Sequence, residues 1–490
     1  MTFWHAGTLL LALAMGTVQL LVPAQAGTKT LDLDTVVQAA LDNGQKVKHA
    51  DIELKLAKAR LREAKGAFDW HTTARAGWRR LYFPKVLPIQ GYNVLTNTLD
   101  SSSNVQVEMG VSHLFHNGIR IEPGISYFPV ANASRAQTFG AVRPIPFLNL
   151  QIPLLHVFDE DNTAAANERA AFREETGSVY ERTAARQQAV FDAVQTYWRC
   201  TAAQEMRRIL MAEQASSNRY LEALRVQQKS GLVSVATLEI ASAKELHRAS
   251  ELAQTQDNVA QCRMYFSQLI DNKGSVNLPT MSDAFPKMRN LVPGIVRLRD
   301  GNLNEIALMD RPDIAASQQD VSAAEDRVAS AKAGQDPKFD LSLNPDGAFL
   351  SFSMSIENNL ADGEEEEAEA KADEARLSLT ELHQQIGRDV TNAVVALRSS
   401  LSALKALRAS DRVMTRIIEE TRRAARAGGL DAKDVHVREE ERVDLELQLV
   451  QTSLDSALDL AKLRLVTGTV ETNGPRAASE DSVLFKSLQF

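Results

Sequence analysis

Leu379, Leu382, Ile386, Val390, Val394, Leu397, Leu401 and Leu404 recur at intervals of three and four residues. That spacing lies close to the α-helical period of about 3.6 and the heptad period of about 3.5, so the eight side chains share one stripe. Val443, Leu447, Val450, Leu454, Ala457 and Ala461 repeat the pattern, with alanine abundant between the leucines so that helices can approach closely. The periodicity predicts long, coiled-coil-grade helices over about 31–67, 157–229, 233–271, 303–335, 362–428 and 431–467. In each half two shorter helices nearly equal one long one: 37 and 39 residues against 73, then 33 and 37 against 67. Stacked end to end they would match it, and at about 1.5 Å per residue each rod reaches roughly 100–110 Å. A globular core has no use for such length. A tube crossing a wide compartment does.

Between the helices the period changes to two. Phe339, Leu341 and Leu343 alternate with Asp340, Ser342 and Asn344; after the turn sequence Pro345-Asp346-Gly347, Leu350, Phe352, Met354 and Ile356 alternate with Ser351, Ser353, Ser355 and Glu357. This reads as a β-hairpin with one apolar and one polar face. The first half has counterparts in Val105, Val107, Met109 and Val111, and in Leu148, Leu150 and Ile152, with Asn117-Gly118 as a two-residue turn signal. The halves repeat. Ala40-Leu41-Asp42-Asn43 matches Ala307-Leu308-Met309-Asp310 at an offset of 267, Ile152 matches Met354 at 202, and Gly231-Leu232 matches Gly429-Leu430 at 198. The first copy therefore carries about 65 extra residues in its strand region. The expected organisation is a first repeat over 27–272, a Pro/Gly/Asp-rich linker over 273–302, a second repeat over 303–470 and a tail over 471–490.

Composition narrows the function. A net charge of −8 argues against a nucleic-acid partner, which needs a basic face. Two cysteines exclude a disulfide framework or a Cys-rich metal site. The apolar stretch Leu9–Val22, followed by Pro23 and Ala24-Gln25-Ala26, reads as a secretory signal over 1–26, although no Lys or Arg leads it. Position 27 is Gly rather than Cys, which argues against a lipid anchor. No later run of 18 apolar residues exists, so any membrane entry must use strands of a closed barrel. Four to six strands cannot close one alone, and open edges are intolerable in lipid. The chain must oligomerise; three copies of four strands give twelve. Whether the extra hairpin at about 104–128 joins that wall is left open.

Assembled, these segments resemble the TolC-like outer-membrane efflux protein family over about residues 31–468. The carriers are Leu31–Trp70 with Ala57-Lys58-Ala59-Arg60-Leu61-Arg62-Glu63-Ala64, the strand end Leu150-Gln151-Ile152-Pro153-Leu154-Leu155, Gly231-Leu232-Val233-Ser234 opening a helix, and above all the tandem repeat. The resemblance implies a mainly α fold with membrane β-hairpins: long antiparallel coiled-coil helices plus strands forming a trimeric β-barrel. It implies a homotrimeric channel in outer-membrane lipid with a periplasmic extension, docked through a periplasmic adaptor to an inner-membrane pump for efflux or secretion. It also marks Asp434 as matching an aspartate that narrows the periplasmic entrance, with Asp431 beside it, while Val437 stands at the family's second aspartate position. The alternative for Asp431 and Asp434 is electrostatic support of a helix N-terminus.

The turns at Gly231-Leu232 and Gly428-Gly429-Leu430 are expected as the tips that meet an adaptor; a purely structural turn, with Gly ending the helix and Leu covering it, is compatible with that role. Cys200 and Cys262 each lie 31 residues from Gly231, opposite one another in an antiparallel hairpin. A disulfide is expected in an oxidising compartment, with two small core residues as the alternative. The nine His are scattered, and His113 and His116, read as strand residues on opposite faces, suggest no metal site. No Gly-rich phosphate loop or nucleophile–base pair suggests an enzyme or a cofactor. The rival reading is a periplasmic helical scaffold or adaptor without a pore.

Overall fold

The computed structural model describes residues 31–89, 92–130, 144–154, 162–270, 277, 285, 300–344, 347–429 and 431–470. The expected signal segment 1–26, most of the linker 273–302 and the tail 471–490 lie outside the described residues.

The first helical stretch is two helices, α1 (Leu33–Asn43) and α2 (Gln45–Lys65), rather than one. Gly44 interrupts them with ψ 129°, and a Cβ there would sit 2.2 Å from the Ala40 carbonyl oxygen, so the kink requires glycine. The long helix α3 (Thr163–Lys229) is capped by Asn162, whose Oδ1 accepts the Ala165 N–H at 2.9 Å. The return helix is α4 (Val235–Leu269).

The second copy follows the same plan with α5 (Asp300–Asp310), α6 (Pro312–Gln335), α7 (Asn359–Arg426) and α8 (Ala432–Val466). The break between α5 and α6 falls 267 positions after Gly44 but has another cause. Pro312 opens α6, where its missing N–H costs nothing, and holds Arg311 extended at ψ 123°. At 67 and 68 residues, α3 and α7 each span about 100 Å.

End-to-end stacking is visible at both kinks. The Asn43 amide donates to the Leu269 carbonyl at 3.1 Å, joining the end of α1 to the end of α4. Likewise Arg311 donates to the Val466 carbonyl at 3.4 Å, joining the α5–α6 kink to the end of α8. The main core surrounds these junctions, halfway along the rods. Val190, Val194, Trp198, Ile386, Val390, Val394, Leu397, Val450 and Leu454 belong to it, all nearly inaccessible to solvent. Laterally α3 packs against α2, α4, α6 and α8, and α7 against α5, α6 and α8. The result is a layer with α2 and α4 along one edge and α7 along the other.

The strands form one antiparallel meander, β1 (His71–Ile89), β2 (Tyr92–Leu114), β3 (Arg120–Val130), β4 (Ile145–Pro153), β5 (Lys338–Asn344) and β6 (Gly347–Ser353), hydrogen-bonded in that order. The extra hairpin is thus part of the sheet, which has six strands in one chain. Its turn sits at the helical end of the sheet, where the Asn162 amide donates to the His116 carbonyl. Beyond the partner register of β3, β1 and β2 continue as a two-stranded ribbon from Arg79↔Asn104 to Ile89↔Tyr92. Met354 and Ile356, expected on the last strand, lie past its end.

The register gives the sheet two chemical faces. One carries Ala76, Trp78, Val107, Met109, Ile121, Ile125, Leu148, Leu150, Leu341 and Phe352. The other carries Thr73, Arg75, Glu108, Glu122, Asn149, Gln151, Asp340 and Ser351. The polar groups are linked across strands: Asn149 donates to Glu122 at 3.3 Å and Gln151 to Asp340 at 3.3 Å. Among the described residues no helix is long and apolar enough to cross a membrane.

Candidate functional site

The end of the rods away from the sheet holds the two expected tips, and they are built alike. Gly231 and Gly428 adopt φ +73° and +78°, which side-chain-bearing residues resist. Around each, the same pair of hydrogen bonds ends the helix: Gly231 N–H to Gln228 O and Leu232 N–H to Gln227 O at the first tip, and Gly428 N–H to Ala425 O and Gly429 N–H to Ala424 O at the second. The structural equivalence is Gly231 with Gly428, an offset of 197 rather than the 198 read from Gly-Leu pairs. Leu232 does not cover its turn; it is 77% exposed. Leu430 lies outside the described residues.

The helices after the tips start with equivalent caps. Ser234 Oγ accepts the Thr237 N–H at 3.2 Å before α4. Before α8, Asp434 Oδ2 accepts the Asp431 N–H at 3.3 Å in a capping box. Both aspartates are exposed. In one chain, therefore, Asp431 and Asp434 stabilise a helix start and point their charge at solvent.

Above the tips, α3 and α8 bring together residues that the sequence reading left apart. Glu213 on α3 and His436 and Glu440 on α8 place one ligand atom each within 4.8 Å of one another. Glu213 and His436 are only 5% and 8% exposed. The His436 ring stacks on Tyr220 at 3.9 Å between centroids, and its Nε2 lies 3.6 Å from Glu440 Oε1. Burial raises the Glu213 carboxyl above its usual range, with Glu440 adding to the rise and Arg248 opposing it. Burial also lowers the His436 imidazole below its ordinary value, against the pull of Glu440 and Glu439. The i, i+4 spacing of His436 and Glu440 was visible on one helix, but Glu213 is 223 residues earlier, so no local motif could reveal the trio.

Cys200 and Cys262 are joined by a disulfide between α3 and α4, with Cα atoms 5.7 Å apart. His113 and His116 do not share a strand: His113 lies on β2 stacked on Trp70, whereas His116 lies in the following turn, stacked on Phe68 and 2.9 Å from Glu168. Asp362 and Glu364–Glu367 fall in the opening turns of α7, where Lys371 pairs with Glu367 at 2.5 Å and Lys332 with Glu369 at 2.9 Å. They form a solvated, ion-paired helix start near the sheet.

No protein-family model and no curated protein matches the chain. Solved structures do. The Campylobacter jejuni CmeC outer membrane channel is 16% identical, with TM-score 0.62 over 94% of both chains. The outer membrane protein VceC of Vibrio cholerae is 17% identical, with TM-score 0.62 over 89% of this chain and 96% of its own. A membrane protein from Pseudomonas aeruginosa is 15% identical, with TM-score 0.66 over 91% and 93%. The chain shares the overall fold of these membrane proteins.

Proposed function

We propose that the protein is a trimeric outer-membrane channel, a passive conduit for export across the periplasm and outer membrane. The observation that carries this reading is a six-stranded sheet, apolar on one face, polar on the other and open at both edges, set on rods of about 100 Å. An open edge in lipid leaves backbone groups unpaired, so β6 of one copy must meet β1 of the next. Three copies then close eighteen strands. At about 4.8 Å between strands and a tilt near 40°, that barrel is roughly 36 Å across, against roughly 24 Å for twelve. The apolar face meets lipid, and Glu122, Asn149, Gln151 and Asp340 line a wet lumen.

The helical layer supports the same assembly. Ile240, Leu246 and Met264 on α4 and Leu377, Val395 and Val413 on α7 are exposed apolar side chains along its two edges. A neighbouring copy would cover them. Such a conduit needs an energy source elsewhere, and the tips at Gly231-Leu232 and Gly428-Gly429 are the surfaces offered to a periplasmic adaptor and, through it, to an inner-membrane pump. Exposed Leu232 is the apolar contact at the first tip.

Threefold symmetry would gather three copies of Asp434, with Asp431 beside it, around the periplasmic entrance, where they would attract cations. In planar bilayers the purified protein should form cation-preferring pores. Asp434→Asn should weaken that preference several-fold while pores still form. Failure to form pores would contradict the channel; unchanged selectivity in the variant would remove Asp434 from the constriction.

A further inference from the structure

We propose that Glu213, His436 and Glu440 form a binding site for a divalent transition-metal cation of the zinc class, clamping α3 to α8 above the tips. One imidazole nitrogen and two carboxylate oxygens suit Zn²⁺, which then completes four-coordination with water. With bonds of about 2.0–2.2 Å, tetrahedral ligand atoms stand roughly 3.3–3.6 Å apart. His436 Nε2 and Glu440 Oε1 are already 3.6 Å apart, and the full trio spans no more than 4.8 Å. Side-chain rotation alone closes the difference.

A second observation points to a ligand. Glu213 is 5% exposed, yet no hydrogen bond or ion pair reaches its carboxylate among the described residues. A carboxylate on so buried a residue, with no hydrogen-bonded partner to hold it, is a ready ligand for a cation. The surroundings favour the cation. Glu213, Glu439, Glu440, Asp444 and Glu251 face Lys244, Arg248 and Arg422, an excess of two negative charges that a dication balances. The Tyr220 ring, stacked on His436 at 3.9 Å between centroids, fixes the plane of its imidazole. Glu440 also lines a groove between α4 and α8 with Lys244, Arg248 and Asp444, which opens its carboxylate to solvent.

The clamp has a structural consequence. Glu213 belongs to the first repeat and His436 and Glu440 to the second, and the α8 ligands stand about one and a half to two and a half turns above Asp431. A bound ion would fix the two hairpins relative to each other at the tip end.

The competitor is Lys244, whose ammonium lies 2.7 Å from Glu440 Oε2. It supplies a test that misfolding cannot imitate. Zinc uptake by the full-length, detergent-extracted protein is measured by equilibrium dialysis, with Co²⁺ absorption reporting the geometry. The expected result is one ion per chain, bound at least tenfold more weakly in Glu213→Gln and His436→Ala, and more tightly in Lys244→Met. Zinc uptake in wild type no greater than in the Glu213→Gln/His436→Ala double variant overturns the site. Unchanged binding in all three single variants overturns it too. The measurement does not depend on the channel reading.

Discussion

Leu148→Arg should abolish assembly of the protein in the outer membrane, whereas Asn149→Arg, its immediate neighbour, should leave assembly intact. Both lie midway along β4, and the register sends them to opposite faces. Leu148 stands on the apolar face and is exposed in the single chain. A charge there would face hydrocarbon at about 2–4 kcal/mol per site near the midplane, and threefold repetition of that cost exceeds what a marginal assembly tolerates. Asn149 donates to Glu122 on the polar face, so an arginine there gains a carboxylate in a wet lumen. Heat-resistant oligomer in outer-membrane extracts distinguishes the two. Equal tolerance at both positions would mean that neither face meets lipid.

Removing the Cys200–Cys262 disulfide should loosen the first helical hairpin. The bond closes a loop with a sequence separation of 62, for which chain entropy gives about 4 kcal/mol. It ties α3 to α4 near the level of the main core, where Cys200 is 2% exposed. The double variant Cys200→Ala/Cys262→Ala should therefore exchange its amide hydrogens faster along 200–262 than along the second hairpin, which has no such tie. Equal exchange in the variant and the wild type would assign the hairpin's stability to packing alone. Alanine is the right replacement, because serine at Cys200 would bury a hydroxyl as well.

Much of this architecture was legible in the chain because it is periodic. The stripe from Leu379 to Leu404 announced α7, and six of its eight members, Ile386 to Leu404, are buried. The tandem offset of 267 matched the two segments that end at the kinks but did not reveal the kinks, because the periodicity runs through them: Gly44 and Pro312 break the backbone without breaking the apolar pattern. Asn117-Gly118 lies in the turn between β2 and β3, but the turn holds three residues rather than two, because Phe115 N–H bonds Ile119 O, and only pairing between β2 and β3 and between β3 and β4 places it in the sheet. Alternation says which face a residue takes and is silent about which strand lies next to it.

The tips were legible because Gly at a helix end has a local cause, a positive φ. Their equivalence slipped by one residue because the Gly-Gly step at 428–429 offers two choices, and only hydrogen bonding selects Gly428. The Glu213–His436–Glu440 cluster was invisible for a different reason. It is made by contact between repeats, and no spacing within one helix encodes where another helix will cross it.

The native mass of the protein extracted in detergent from outer-membrane fractions decides whether its open edges close by assembly. Six strands with two open edges and rods with two apolar edges need neighbouring copies to cover them, and the proposed channel closes with three, so a particle of three chains is expected. A stable monomer in that fraction would leave every edge open, contradict the channel and return the helices to the role of a scaffold.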